Sequence, residues 1–411
     1  MIALAVALIA AGTAVAVTPT DPLWSRSWAQ RTVHMPRAWD VTTGSPKIIV
    51  AVIDSGVQRK TEDLKGALVP GWDFVENDAS TEDKEGHGTM VATIIAGRGN
   101  DGVGTAGYCW KCKIMPLRVS AYGTAGSTVL ANAVKYAVDH GARVVNIDFS
   151  DGGTQQADPK LTDAIAYAAE HNVVVVASAG NTGSDVGTHP ASAAGAIAVA
   201  ATNIHDQLTP WSTRGNWVPL AAPGCQISVN QRGLYGFYCG TSSAAPTVSG
   251  VVGLLLSAKP QLTPVQVLRA LKSSAKPVPG IGGGRVDAYA ALVAVGAVPG
   301  SSPTPPGPAG KHQPRATPGP RAKVVRGRLA RHVRIPLKVR GGRLSVSLSS
   351  KMAHACSFTL SARGDIWFSV AKGKTMLGLA TTVPAGRYVV KITCVHAGRA
   401  RFSLTARALF A

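Results

Sequence analysis

The sequence predicts an α/β fold, a parallel sheet with helices on both faces, followed by a small C-terminal all-β sandwich domain. Three observations carry the prediction. Runs apolar at successive positions recur at residues 47–53, 143–147 and 173–177; helical stretches at 127–140 and 160–171 separate them; and beyond residue 322 the pattern changes to short alternating segments.

A run such as Val173-Val174-Val175-Val176-Ala177 has no polar face, as expected of a parallel strand covered on both sides. Strand and helix alternate as crossover connections require, and the crossovers are expected to be right-handed. Residues 299–322 are rich in Pro, Gly, Ser and Thr and read as a semi-extended linker between a large domain, 17–298, and a basic tail domain, 323–411. In the tail, Leu344-Ser345-Val346-Ser347-Leu348-Ser349 and Tyr388-Val389-Val390-Lys391-Ile392 alternate as half-buried strands, with Pro384-Ala385-Gly386 as a turn signal between strands. No internal repeat of solenoid length is visible.

Residues 1–11 form an apolar run and Ala14-Val15-Ala16 a small-residue cleavage pattern, so 1–16 reads as a signal peptide and the protein as secreted. The run is short for a membrane span; the other reading is an uncleaved N-terminal membrane anchor. Export permits disulfides, and the six cysteines fall in three local pairs: Cys109 with Cys112, Cys225 with Cys239, and Cys356 with Cys394. Cys109-Trp110-Lys111-Cys112 reads as a loop staple, because neither a thioredoxin-like context nor a second pair of zinc ligands accompanies it.

The chain has 42 Lys and Arg against 22 Asp and Glu; twenty of those bases and one acid, Asp365, follow residue 300, so the tail carries +19 of the net +20. Such a field favours anionic partners, an anionic surface, a cell-wall polymer or nucleic acid, and selects no specific nucleic acid. The alternative is a basic surface that only keeps the chain soluble. A monomer is expected.

Three segments place a reactive side chain where a strand ends or a helix begins. Asp54 follows the run 49–53, at the carboxyl end of a buried strand, where open α/β sheets build their sites. By itself such an Asp is more often a turn or a cap. His87, in Gly86-His87-Gly88-Thr89, opens a small-residue helix ending near Gly97, with glycine beside it to admit other backbone; alone it could be a capping or core histidine. Ser242, in Gly240-Thr241-Ser242-Ser243-Ala244-Ala245-Pro246, opens an apolar helix running to about Lys259, where free N–H groups favour an oxyanion. The alternative is an ordinary serine N-cap with proline in the first turn.

Together, in this chain order, the segments resemble the subtilisin-like serine peptidase family (peptidase S8) over roughly residues 21–295, and Asp21-Pro22-Leu23-Trp24 resembles the start of its thermitase-like branch. The resemblance implies a subtilisin-like sheet and an endopeptidase acting on protein or peptide substrates. Ser242 would be the nucleophile, His87 the general base and Asp54 its orienting partner. Asn181, in Ala179-Gly180-Asn181, would be the oxyanion donor beside the nucleophile's own N–H; otherwise it is a turn residue after a strand.

Substrate in this family lies as an added strand. The implied edges are 122–126, with Gly123 and Gly126, and Asp148-Phe149-Ser150, and Ser178, Ala179 and Gly180 would wall the P1 pocket. This chain departs from the family at Asp148, where serine is usual, and places another acid at Asp151. Either acid would shift P1 preference toward Lys or Arg; otherwise both are solvent-facing loop residues. The family's structural Ca2+ would map onto Asp63, Asp101 and Asp21. The short distance from Ala16 to the large domain leaves no room for the family's usual propeptide, so either the domain folds unaided or a start lies upstream. Two rival readings are a degenerate protease used for binding, and acyl transfer to an amine instead of water.

Overall fold

The computed structural model of the chain describes residues 16–120, 125–149 and 159–299 and, in the tail, the backbone of six strands between 321 and 408. Residues 1–15, most of the linker (300–320), Gly123 and Asp151 lie outside the described residues.

Eight helices are described: α1 (Trp28–Thr32), α2 (Met35–Val41), α3 (His87–Ala96), α4 (Ser127–Asp139), α5 (Pro159–Glu170), α6 (Thr241–Ala258), α7 (Pro264–Ser274) and α8 (Ala288–Ala294). The main sheet comprises β1 (Ile49–Asp54), β2 (Trp72–Asp73), β3 (Lys113–Arg118), β4 (Val144–Ile147), β5 (Val174–Ser178), β6 (Ala196–Thr202), β7 (Leu220–Pro223), β10 (Lys276–Pro277) and β11 (Gly284–Arg285). A separate antiparallel ribbon joins β8 (Cys225–Val229) to β9 (Tyr235–Cys239). The three strands and two helices expected between residues 47 and 177 form within one or two residues of their predicted bounds.

The sheet order is β10-β11-β7-β6-β5-β4-β1-β3-β2, and every pair is parallel except β10 with β11. Chain order reverses around β1: β3 lies on one side of it and β4 on the other. A strand order that reverses leaves a crevice at the carboxyl ends, and Asp54 is the last residue of β1 there.

Successive residues on a strand point to opposite faces. Val50, Val52, Val144, Val174 and Val176 enter one core with α2, α3 and α6, whereas Ala51, Ile53, Val145, Val175 and Ala177 enter a second core with α4 and α5. Helices therefore cover both faces, which is why the strands lack a polar side. Among the described residues α6 is long and apolar enough to cross a membrane, but 89% of it is buried, so it serves here as the central core helix.

Two of the three expected disulfides are present. Cys109–Cys112 staples the loop before β3, with Cα atoms 5.4 Å apart, and Cys225–Cys239 closes the β8–β9 ribbon. In the tail, β12 (Arg321–Arg328), β13 (His332–Ser349), β14 (Cys356–Ala362), β15 (Asp365–Ala371), β16 (Met376–Cys394) and β17 (Arg401–Ala408) pair as one sheet in the order β12-β17-β13-β16-β14-β15. Cys356 and Cys394 are register partners across β14 and β16. The turn expected at Pro384-Ala385-Gly386 does not form. β16 runs through it, and the register with β13 passes from Arg340 opposite Ala385 to Gly342 opposite Val383, leaving out Pro384, which has no N–H to give a ladder.

Because Leu255 on α6 is fully buried, Leu255→Ala should cost about 2–5 kcal/mol of unfolding free energy. Val265→Ala, at a position 67% exposed, should stay within about 0.5 kcal/mol. Denaturant titration of the two variants checks this.

Candidate active site

The end of β1 and the start of α3 are locked together by a polar clamp. Asp83 is buried; its Oδ1 accepts from the Ser55 hydroxyl (2.9 Å) and the Gly86 N–H (2.7 Å), and its Oδ2 from the Thr89 N–H (2.9 Å) and hydroxyl (2.6 Å). Ser55 in turn accepts the Gly88 N–H at 3.0 Å. The approach is close enough to require glycine. A Cβ at Gly88 would lie 2.1 Å from the Gly56 carbonyl oxygen, and Gly86, at φ +99°, is the left-handed N-cap of α3.

This clamp sets His87, the first residue of α3, against Asp54. His87 Nδ1 and Asp54 Oδ1 are 2.7 Å apart, and the same oxygen accepts the Ser55 N–H at 2.8 Å. Asp54 is fully buried, and its Oδ2 has no partner. With Nδ1–H given to the carboxylate, Nε2 is left as the acceptor. Its partner is the hydroxyl of Tyr238 on β9.

Gly240, not Ser242, is the N-cap of α6. The alternative reading of Ser242 as a cap therefore falls, and its hydroxyl is free for other partners. Ser242 sits in the first turn, where backbone N–H groups have no helical acceptor. Asn181 reaches the same turn from the loop after β5. Its Oδ1 accepts the Thr241 N–H (2.8 Å) and hydroxyl (3.1 Å), which commits the oxygen and leaves Nδ2 as the donor.

Of the remaining predicted residues, Ser178 ends β5, and the Gly180 N–H donates to the Thr241 hydroxyl at 3.1 Å. Ala179 is fully buried in the second core. Phe149 packs on the His87 ring with centroids 5.6 Å apart, and Gly126 is the N-cap of α4. Asp148 is no solvent-facing loop acid: it is buried, its Oδ2 accepts the Asn146 amide at 2.7 Å, and its Oδ1 has no partner.

The electrostatics follow from burial. Burial, reinforced by the charge of Asp54, pushes the Asp148 carboxyl up to about 8 against the pull of His87 and its hydrogen bonds, so it is protonated at neutral pH. For His87 burial opposes the imidazolium, but Asp54 beside it, with Asp148 and Asp83 beyond, outweighs burial and moves the group up to about 9.

Asp63 and Asp21 are buried and Asp101 is exposed. Asp63 Oδ1 accepts the Thr105 N–H at 3.0 Å and its Oδ2 the Tyr235 hydroxyl; Asp21 Oδ2 accepts the Asn100 N–H at 2.9 Å, and its Oδ1 is buried without a partner. Burial, together with the charge of Asp101, raises the pKa of both buried acids. Among the described residues no group of three or more His, Cys, Asp or Glu stands gathered as a ready metal centre.

Sequence reasoning missed Asp83, Tyr238 and the tie of Asn146 Oδ1 to the Ser249 hydroxyl (2.8 Å). Asp83, a good capping residue four positions before His87, was the one readable signal.

Residues 45–302 match the model of the subtilase family, peptidase S8. The chain belongs to this family. It is 39% identical over 282 residues to thermitase of Thermoactinomyces vulgaris, covering 67% of this chain and 99% of that protein. It is 32% identical over 335 residues to an extracellular protease of Xanthomonas campestris, covering 68% of this chain and 57% of that one. Among solved structures, a protease from Pseudoalteromonas arctica superposes with a TM-score of 0.64 at 28% identity, over 68% of this chain and 99% of that one. The chain is a subtilisin-like serine peptidase.

A general base must be neutral to accept a proton, so with His87 in the base role that its family resemblance implies, a pKa above its ordinary 6.5 should displace the acidic limb of the kcat/KM profile to the alkaline side. Asp148→Asn removes a negative neighbour and should move the limb back toward lower pH. Profiles on an uncharged peptide, with both proteins active-site titrated, measure the displacement.

Proposed function

We propose that the protein is a secreted serine endopeptidase cleaving peptide bonds through an acyl-enzyme, with Ser242 as nucleophile, His87 as base and Asp54 as its orienting partner. The observation that carries this reading is the 2.7 Å Asp54–His87 contact, supported by the anchoring of Asn181 to Thr241, the residue next to Ser242 at the start of α6. As Ser242 Oγ bonds the substrate carbonyl carbon, its proton passes to His87 Nε2 while Asp54 holds Nδ1–H and stabilises the imidazolium. Negative charge on the carbonyl oxygen is met by the Asn181 amide and the Ser242 N–H. His87 then gives the proton to the leaving amine, and water repeats the sequence to release the acyl group.

Substrate is read as a strand laid between the segments at Gly123–Gly126 and Asp148–Phe149, with Ser178–Gly180 along its P1 side chain. Asp148 is protonated near neutrality, so its preference for Lys or Arg at P1 belongs to alkaline pH, where the carboxylate forms. The signal-like segment 1–16 and the extracellular relative support secretion. The tail is read as an all-β sandwich domain, with Cys356 and Cys394 as its third disulfide, and the +19 charge of residues 301–411 holds the enzyme on an anionic surface or cell-wall polymer.

A structural Ca2+ is read at Asp21, Asp63 and Asp101. Their chemistry fits a hard cation: the buried Asp21 and Asp63 carboxylates, whose pKa values are both raised, and the orphaned Asp21 Oδ1 are what a bound cation would relieve.

Digestion of a peptide library by wild type, Ser242→Ala and Asn181→Ala tests the reaction. Ser242→Ala should be inactive, and Asn181→Ala should lose roughly 10²–10³ in kcat, with about 1–3 kcal/mol of stability lost as the buried Thr241 N–H loses its acceptor. Cleavage after Lys or Arg relative to Leu should rise between pH 7 and about 9; a constant ratio removes Asp148 from P1 selection. Excess chelator should lower the melting temperature by roughly 5–10 °C if binding contributes about 3 kcal/mol. An unchanged melting temperature would sink the calcium reading.

A further inference from the structure

The proposed reaction gives every polar group around the imidazole a use except the phenol of Tyr238. This residue lies on β9, four positions before Ser242, with Gln226 of β8 as its register partner and the Cys225–Cys239 disulfide as the next rung. Its ring stands edge-on to His87, with centroids 5.4 Å apart at 85°. Its hydroxyl is the hydrogen-bond partner of His87 Nε2.

Proton accounting makes this arrangement a resting one. Neutral imidazole has one N–H and one lone pair. Asp54 holds the N–H at Nδ1, so the phenol O–H must donate to the lone pair on Nε2. The phenol thus occupies the lone pair to which Ser242 would pass its proton. The same Nε2 must later face the leaving amine, so the leaving-group half of a substrate needs the space that the phenol fills.

We propose that Tyr238 is a latch on the catalytic base: its hydroxyl caps His87 Nε2 in the substrate-free enzyme, and the leaving-group side of a bound peptide displaces it. This rests on the serine-peptidase reading above. A relay in which the phenol passes the serine proton onward is the competing use of the same geometry. Burial and the charges of Asp148 and Asp54 hold the phenol's pKa well above 10, which disfavours it as a carrier.

The two uses separate in kinetics. A latch lowers the fraction of enzyme competent to bind, so it raises KM and leaves kcat alone. A single hydrogen bond is worth about 1 kcal/mol, and each 1.36 kcal/mol is tenfold, so Tyr238→Phe should lower KM by roughly five- to tenfold at constant kcat. Its rate of labelling by a small phosphonyl fluoride should rise by the same factor. Tyr238→Leu, which also lacks the hydroxyl, is the second variant and should move KM in the same direction. A fall in kcat in Tyr238→Phe identifies a relay and overturns the latch, as do unchanged KM and labelling rate. Mass spectrometry of the labelled wild type keeps the two readings distinct. Absence of label on Ser242 sinks the serine chemistry itself, whereas label arriving at equal rates in wild type and Tyr238→Phe sinks only the latch.

Discussion

The clamp between the end of β1 and the first turn of α3 is the constraint on which the site depends. Asp83 faces hydroxyl and N–H donors from Ser55, Glu85, Gly86 and Thr89, so its burial is compensated at each oxygen. That compensation lets a strand and a helix approach to the distance at which only Gly88 fits. Asp54 and His87 are then side by side because their backbones are, and the 2.7 Å contact needs no side chain to stretch. Rigidity of this kind is what a base needs if its orientation is fixed before substrate arrives.

Against that background the three buried acids near His87 differ in a way that matters. Asp83 is saturated with donors; Asp54 and Asp148 each keep one oxygen buried and unpartnered. An unpaired carboxylate oxygen in a dry site is costly, and the cost is relieved by a proton or a nearby cation. Asp54 has the imidazolium as its relief. Asp148 has an Asn146 amide and takes a proton. The acid that replaces the family's usual serine therefore adds a titrating group beside the base and not a fixed charge.

The parallel sheet was legible because a strand buried on both faces must be apolar throughout, and residues 47–53, 143–147 and 173–177 obey that rule. Asp54, His87 and Ser242 were legible because each sits at an element boundary that glycine or a buried run marks. Other contacts depend on pairs far apart in the chain. Asn146 meets Ser249, Tyr238 meets His87, and Asp21 meets Asn100 only once the sheet order is fixed, and no local periodicity encodes them. Asp148 was misjudged in part for the same reason: a loop acid reads as exposed until the fold buries it against the Asn146 amide. Pro384 misled in the opposite sense, since a turn residue can also sit within a strand where the ladder leaves it unpaired.

Helix α6 carries both core residues and Ser242, the proposed nucleophile, and its first turn is not an ordinary one. Pro246 has no N–H, so the Ser242 carbonyl lacks its usual helical donor, and Gly240 enters at φ +152°. The turn is held instead from outside. Gln226 on β8 donates through Nε2 to the Ser243 carbonyl (2.7 Å) and the Thr247 hydroxyl (2.9 Å). Gln226 is also the register partner of Tyr238, and the disulfide closes the rung beside it. The ribbon and the turn bearing Ser242 are therefore joined at one residue. Displacing the Tyr238 hydroxyl from His87 by moving the ribbon would pull on the nucleophile's own helix turn. Rotation of the phenol about its side-chain bonds leaves both backbones in place, and it is the motion that can uncap the base without disturbing the geometry the base serves.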